Sequence, residues 1–179
     1  LLCLTEKGLP KDLKNKIALF CNVNPDCVFT AKDVDVIYDV PLELHKEGID
    51  EKVIELLNIW TREPDLKNWK NLNSTIRALN EEVQIAVVGK YVHLVDCYKS
   101  LNESLKHAGF ANKVKVKLKF VDSEGLESKD LKEVFDGCSG ILVPGGFGDR
   151  GVDGKIASIQ YARENHICLL YTSDAADDL

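Results

Sequence analysis

The 179-residue sequence contains no methionine, no long apolar run and no excess of basic residues. No apolar stretch approaches the roughly 18–20 residues that a helix needs to cross a bilayer, which excludes a membrane-spanning segment. The net charge of −6 offers no basic field for DNA or RNA phosphates and argues against a general nucleic-acid binder. The missing methionine and the apolar opening Leu1-Leu2-Cys3-Leu4 predict that the chain is an internal piece of a longer protein.

Cysteine pairs at the spacing of metal or redox motifs are missing as well. The six cysteines are scattered without a C-x-x-C, and several lie in apolar surroundings. This pattern predicts reduced, buried thiols in a cytoplasmic protein, with neither a disulfide scaffold nor a zinc site. No metal site is predicted, because His45, His93 and His166 have no carboxylate or cysteine at ligand spacing and His107 ends an amphipathic helix.

Hydrophobic periodicity divides the chain near residues 60–82. Before this point, it predicts a helix over residues 10–20 with Leu13, Ile17 and Phe20 on one apolar face, and a helix over residues 51–60 capped by Asp50. Residues 61–82 are polar with a helical repeat. They predict an interdomain linker that packs as a helix, although one more amphipathic helix of a single domain fits the same pattern.

From residue 83 the pattern becomes a regular alternation of strands and helices. Residues 83–88 (VQIAVV) are almost continuously apolar, as expected of a buried parallel strand. Residues 114–121 (VKVKLKFV) alternate strictly and predict a strand with one wet face near the sheet edge. Further strands are predicted at residues 140–143 and 167–171, with a helix closed by Gly109 after the first strand. The order predicts an α/β fold with a parallel, doubly wound, flavodoxin-like sheet.

Two glycine-containing turns follow strands of this sheet. They are Gly89-Lys90-Tyr91 and residues 144–151 (PGGFGDRG), which hold four glycines. Ligands of open parallel sheets bind at the carboxyl ends of the strands, and the N–H groups of such a loop can form an anion nest or an oxyanion hole. The loop matches neither a Walker nor a Rossmann phosphate motif. From these residues alone, a tight connection without a ligand is an equal alternative.

Several segments, in order along nearly the whole chain, resemble the CTP synthases, glutamine-dependent enzymes that aminate UTP. In the first part these are residues 16–23 (KIALFCNV), Lys32-Asp33-Val34, and Ile37-Tyr38 followed by Pro41. In the second part they are residues 87–91 (VVGKY), Asp96, Tyr98-Lys99-Ser100, residues 142–148 (LVPGGFG), Arg150-Gly151 and residues 162–165 (AREN). The resemblance implies that residues 1–60 end a P-loop-type α/β synthetase domain. Residues 83–167 would then be the N-terminal half of a truncated class I amidotransferase domain.

The resemblance also implies roles for individual residues. Lys16 would bind the uridine nucleotide, UTP or CTP, and Lys32, Asp33 and Val34 would line the adenine pocket for ATP. The oxyanion loop Gly145, Gly146, Phe147 and Gly148 would bind glutamine. Phe147 and Arg150 would face the activator GTP or the ammonia passage.

In this family, ATP phosphorylates the uracil O4, and a cysteine thiolate aided by a His–Glu pair releases ammonia from glutamine. The ammonia then displaces the phosphate. The resemblance implies that the ATP loop and the Mg²⁺ ligands precede Leu1, and that the His–Glu pair follows Leu179. It also implies a cytoplasmic homotetramer for the longer protein. The chain by itself is therefore expected to be inactive, with no catalytic residue of its own.

Cys168 lies near the position where the resemblance leads one to look for a nucleophile. No glycine flanks it, whereas the family's nucleophile sits in a G-x-C-x-G turn, so Cys168 is predicted to be a buried strand thiol. From Cys168 onward, residues 168–179 (CLLYTSDAADDL) depart from the family pattern and are predicted to be a non-native tail. Two alternative functions stay open: another class I glutamine amidotransferase, and a non-catalytic flavodoxin-like binding module.

Overall fold

A computed structural model describes residues 1–146 and 148–171 of the chain. These residues form two compact units, Leu1–Ala78 and a second one that starts at Leu79. None of the helices within the described ranges is long and apolar enough to span a bilayer.

The first unit contains a small parallel sheet with four helices. The strands are β1 (Leu2–Thr5) and β2 (Phe29–Lys32), and the helices are α1 (Lys11–Cys21), α2 (Val40–Lys46), α3 (Ile49–Leu56) and α4 (Lys67–Arg77). The register of the sheet runs from Leu2 opposite Phe29 to Thr5 opposite Lys32. The helix α4 packs on the turn Ile37–Asp39, where Trp69 stacks on Tyr38 with ring centroids 6.4 Å apart.

A carboxylate at the end of α2 joins three elements of this unit. Glu47 Oε2 accepts a hydrogen bond from Lys14 Nζ on α1 at 2.8 Å and one from the Thr30 amide on β2 at 3.0 Å. The hydrogen bond from Lys14, followed by that from Thr30, holds the pKa of Glu47 below its ordinary value. Glu47 is therefore charged at neutral pH and connects α1, α2 and β2.

The helix predicted over residues 10–20 is confirmed as α1, but its predicted apolar face is wrong. Ala18 is the buried residue of this helix, and Phe20 is 79% exposed. Two residues correspond to about 200° around a helix, so the side that buries Ala18 turns Phe20 toward solvent.

The helix predicted over residues 51–60 is shorter than expected and is not capped by Asp50. It ends at Leu56, and Asn58 adopts a left-handed conformation (φ 51°), which leaves Trp60 outside the helix. Gly48 (φ 79°) occupies the N-cap position instead. Asp50 Oδ2 lies 2.6 Å from His45 Nδ1 in the preceding helix.

Two histidines have a carboxylate partner in the structure that the spacing of residues along the sequence does not reveal. His45 pairs with Asp50, and His93 Nε2 lies 3.4 Å from Asp122 Oδ2 at the end of a strand 29 residues later along the chain. Burial acts to raise the pKa of Asp50. The hydrogen bonds with His45 and with backbone N–H groups outweigh it, so this pKa lies below its ordinary value.

The second unit is a four-stranded parallel sheet with helices in its connections. Its elements are β3 (Glu81–Gly89), α5 (Lys99–Ala111), β4 (Val114–Asp122), α6 (Leu131–Val134), β5 (Gly140–Val143), α7 (Val152–Glu164) and β6 (Cys168–Tyr171). The strand order is β4-β3-β5-β6, and every pair is parallel. This order is that of a flavodoxin-like doubly wound sheet, which confirms the predicted fold class.

The burial of the strands agrees with their sequence patterns. The last four residues of β3 and all four residues of β5 are buried, whereas β4 alternates and lies at the edge of the described sheet, as predicted. The buried apolar core of this unit comprises Ala86, Val88, Val121, Leu126, Phe135, Ile141, Val143 and Ala162.

Gly109 does not end its helix, contrary to prediction, because α5 continues to Ala111. A Cβ atom at Gly109 would lie 2.7 Å from the Val114 carbonyl oxygen and 2.7 Å from Val116 Cγ2. Glycine is therefore required at this point so that α5 can lie directly on β4.

The cysteines are more exposed than predicted. Cys21, Cys97 and Cys168 are exposed, and the other three are half-buried. Cys168 begins β6, the outer strand on its side of the described sheet, and it is not the buried thiol that was predicted. The predicted tail begins at this same residue: its first four residues form β6, and residues 172–179 lie outside the described residues.

We expect Glu47→Gln to lower the free energy of unfolding of the first unit by about 1–2 kcal/mol at pH 7, because a hydrogen bond to a charged group is lost. A carboxylate whose pKa is lowered by folding stabilises the protein above its unfolded-state pKa of about 4.3, and this stabilisation disappears as the pH falls through the folded-state value. The difference between wild type and variant should therefore shrink at acid pH. Urea denaturation followed by tryptophan fluorescence measures it, since Trp60 and Trp69 both lie in the first unit.

The control for this prediction is Glu51→Gln, on the exposed face of α3. Surface substitutions of this kind change stability by less than about 0.5 kcal/mol. An effect of Glu47→Gln that stays constant from pH 7 to acid pH would contradict the assigned role of the charge.

Candidate functional site

The order of the strands places both glycine-containing turns at one point of the sheet. The strands β3 and β5 are neighbours, and the chain leaves β3 toward β4 on one side and β5 toward β6 on the other. This is the topological switch point, where ligands of open α/β sheets bind beyond the carboxyl ends of the strands. The turn after Gly89 and the loop after Val143 both begin there.

The turn after β3 is tightly packed and contains a buried cation. A Cβ atom at Gly89 would lie 2.4 Å from Tyr98 Oη, so only glycine fits beneath this ring. Tyr98 Oη also accepts a hydrogen bond from the Tyr91 amide at 3.3 Å. Lys90, which lies between Gly89 and Tyr91 in the sequence, is only 5% exposed. Its Nζ donates to the Gly148 carbonyl oxygen at 2.5 Å.

A second lysine holds the beginning of the glycine-rich loop. Lys155 Nζ, on the first turns of α7, donates to the Pro144 carbonyl oxygen at 3.1 Å. Gly148 (φ +74°) and Gly151 (φ +71°) adopt left-handed backbone conformations that favour glycine. The two lysines bind loop carbonyl groups, and in a trans peptide the next N–H points the opposite way. The loop can thus direct N–H groups toward a developing anion.

The predicted glutamine-binding residues lie together in this loop. Gly145 is half-buried and Gly146 and Gly148 are exposed, whereas Phe147 lies outside the described residues. Arg150 follows in the same loop. Its Nη1 lies 2.6 Å from Glu124 Oε1, and its guanidinium lies over the Tyr91 ring at 5.5 Å from the centroid.

The predicted ATP residues line a cleft in the first unit. Lys32, Asp33 and Val34 lie at the carboxyl end of β2, on a cavity of about 380 Å³. The other residues of its lining are mostly apolar: Leu2, Leu4, Ala31, Ile37, Val40, Glu43 and Leu44. The Asp33 amide donates to the Thr5 carbonyl oxygen at 3.2 Å, which holds the triplet at the sheet edge.

The structure does not bring Lys16 to this cleft. Lys16 is exposed on α1 and is not among the residues that line the cavity. Within residues 1–146 and 148–171, no three His, Cys, Asp or Glu side chains converge where a metal ion could bind.

Family models and named relatives both match this chain. Residues 1–59 match the family model described as CTP synthase N-terminus, and residues 93–170 match the one described as Glutamine amidotransferase class-I. The chain is 56% identical over 167 residues to a CTP synthase of Syntrophus aciditrophicus and 55% identical over 167 residues to one of Desulfotalea psychrophila. The chain belongs to the CTP synthase family.

In both comparisons the matched region covers 93% of this chain. It covers only 31% and 30% of the length of these two CTP synthases. Among solved structures, it is similar to the Trypanosoma brucei CTPS glutaminase domain with bound acivicin. That similarity has a TM-score of 0.45 and 45% identity, and it covers 50% of this chain and 35% of the other.

Sequence reasoning missed three residues that lie at this candidate site of the CTP synthase family member. Lys155, Glu124 and Ser123 contact the glycine-rich loop or its end, and none of them was singled out. Glu124 and Ser123 directly follow β4, the strand beside β3. The available signal was their position, because residues just beyond the carboxyl end of a strand next to the switch point lie at the ligand-binding edge.

We expect Lys90→Met to loosen the glycine-rich loop while keeping the apolar part of the side chain. A hydrogen bond to a charged donor contributes about 1.5–3 kcal/mol, so amide exchange in residues 145–151 should quicken about tenfold or more. Hydrogen exchange with peptide-level mass spectrometry measures this. Lys99→Met, at the exposed start of α5, is the control, and equal protection in the two variants would contradict the role given to Lys90.

Proposed function

We propose that this chain supplies parts of both reaction sites of a glutamine-dependent CTP synthase, which aminates UTP to CTP at the expense of ATP. The observation that carries this proposal is the order of the matches. A CTP synthase N-terminus segment and a class I amidotransferase segment follow each other on one chain. Another class I amidotransferase is disfavoured by the match of residues 1–59, and a non-catalytic flavodoxin-like module is disfavoured by both matches.

The glutamine half of the reaction is proposed to use the glycine-rich loop. When a thiolate attacks the side-chain amide of glutamine, the carbonyl oxygen becomes negatively charged, and N–H groups aimed at it lower the barrier. Gly145, Gly146, Phe147 and Gly148 would bind glutamine and stabilise this oxyanion, while Lys90 and Lys155 keep the loop in place from the other side. The thiolate and its His–Glu pair would come from the remainder of the enzyme.

The synthetase half is proposed to use the cleft at the end of β2. Its apolar walls suit an adenine ring, and Lys32, Asp33 and Val34 lie at its polar rim. Lys16 would bind the uridine nucleotide together with parts of the enzyme outside this chain. Mg²⁺ would be bound by residues outside this chain as well, and GTP would act as an activator near Phe147 and Arg150. A cytoplasmic homotetramer is the proposed assembly of the longer enzyme.

The test uses a host enzyme, the CTP synthase of Syntrophus aciditrophicus, in which residues 1–167 of this chain replace the matching segment. Glutamine-dependent and ammonia-dependent CTP formation are measured separately, because added ammonia bypasses the glutamine site. The proposed function requires both activities in this chimera. Failure of both in a folded chimera would overturn it.

We expect Gly148→Ala in this chimera to lower glutamine-dependent CTP formation about tenfold or more, because strain at a positive φ displaces the oxyanion loop. Ammonia-dependent formation should be unchanged. Gly137→Ala is a matched control, since Gly137 has a similar φ of +72° and, like Gly148, has open space around an added Cβ. Gly137 lies before β5, at the opposite end of that strand. Equal losses in the two variants would count against the loop.

We expect Val34→Trp to raise the KM for ATP several-fold, because the larger side chain fills the apolar cleft. Glutamine hydrolysis should keep its own KM for glutamine. Val53→Trp, on the partly exposed face of α3 and away from the cleft lining, is the control. An unchanged KM for ATP in the Val34 variant would show that adenine binds elsewhere.

A further inference from the structure

Ser123 follows β4 and is completely buried, yet its hydroxyl group makes no hydrogen bond within the described residues. Leaving a buried hydroxyl unpaired costs about 1–3 kcal/mol, so such groups are uncommon in folded proteins. Within the described residues, no hydrogen bond of the side chain explains why a serine occupies this buried position. Its size and its backbone are what contact the neighbouring elements.

The backbone and side chain of Ser123 touch both sides of the switch point. Its amide donates to the Gly89 carbonyl oxygen at 3.0 Å, which extends the pairing of β3 and β4 by one hydrogen bond. On the other side, a Cβ atom at Gly151 would lie 2.3 Å from Ser123 Oγ, and one at Gly154 would lie 2.0 Å from the Ser123 carbonyl oxygen. Ser123 is thus in direct contact with the first turn of α7.

The first turn of α7 is also fixed to the glycine-rich loop, residues 144–151. Gly151 is the N-cap of α7, the Val152 amide donates to the Asp149 carbonyl oxygen at 3.2 Å, and Lys155 binds Pro144 at the other end of the loop. A displacement of this turn therefore carries the loop with it. Because protein interiors are close-packed, a methyl group added to the side chain of residue 123 has no empty space to enter.

We propose that Ser123 is a positioning residue of the glutamine site, whose small side chain sets how closely the glycine-rich loop approaches the carboxyl edge of the sheet. This inference rests on the proposed function, in which residues 145–148 stabilise the oxyanion. A displacement of about 1 Å in a positioned group can cost about a hundredfold in rate. The size of residue 123 therefore controls glutamine hydrolysis without any contact with the substrate.

The test compares three variants of the host enzyme described above. Ser123→Thr adds one methyl group beneath the loop, and Ser123→Ala removes the unpaired hydroxyl while keeping the residue small. Ser158→Thr adds the same methyl group to another completely buried serine, one turn after Gly154 on α7. Each variant is assayed for kcat and KM with glutamine and with ammonia as the nitrogen source.

We expect Ser123→Thr to lower kcat/KM for glutamine about tenfold to a hundredfold and to leave ammonia-dependent synthesis unchanged. Ser123→Ala should retain both activities, because the hydroxyl has no hydrogen-bond partner among residues 1–146 and 148–171. Ser158→Thr should also retain both, because residue 158 lies one turn beyond the first turn of α7, which contacts Ser123 and the glycine-rich loop. Full glutamine-dependent activity in Ser123→Thr would overturn the inference. An equal loss with both nitrogen sources, or the same loss in Ser158→Thr or Ser123→Ala, would overturn it too.

Hydrogen exchange separates failure of this inference from failure of the proposed function. If the parent chimera uses ammonia but not glutamine, the proposed glutamine role is wrong, and the positioning role is then decided by exchange alone. Ser123→Thr should speed amide exchange in residues 145–151 relative to Ser158→Thr. Equal exchange in these two variants would overturn the positioning role.

Discussion

The close approach of the end of β4 to the first turn of α7 is the constraint on which the proposed glutamine site depends. Two glycines, Gly151 and Gly154, face Ser123 at distances that leave no room for a Cβ atom. Only with this approach does α7 begin close enough to the sheet for Lys155 to reach the Pro144 carbonyl oxygen. The glycines in this region are therefore required by packing as much as by loop conformation.

Two lysines then convert this packing into a possible anion site. Both donate to carbonyl groups of the loop, and Lys90 does so while almost entirely buried. A buried cation is costly unless its hydrogen bonds are satisfied. Two ammonium groups within hydrogen-bonding distance of the loop also favour negative charge beside it. The same side chains thus hold the loop and bias its electrostatic potential.

The first unit combines an apolar cleft with a charged group that links its elements. Its cleft is walled mainly by aliphatic side chains from β1, β2, the turn Ile37–Asp39 and α2, and its polar triplet lies at one rim. Glu47 connects α1, α2 and β2 through two hydrogen bonds to its charged carboxylate. The large apolar side chains next to Trp60 in the sequence are exposed, because α3 ends before them.

Much of the fold could be predicted because strands and helices leave local patterns. The near-continuous apolar run of β3 and the alternation of β4 follow from burial on two faces or on one, and both strands were recognised. The interpretations of Gly109 and Asp50 failed for one shared reason. Each residue was read as a local helix signal, whereas Gly109 makes room for β4 and Asp50 pairs with His45 on another helix.

The sequence by itself determined the family, the parallel α/β class and the place of the glycine-rich loop after β5, since each depends on residues that are near each other in the chain. Only the tertiary structure decided which lysine meets which carbonyl group, why Gly151 and Gly154 must be small, and that Ser123 lies beneath them. The contacts of Lys90 with Gly148 and of Ser123 with Gly151 and Gly154 join residues about 30 to 60 positions apart, and backbone patterns of period two or 3.6 carry no record of them.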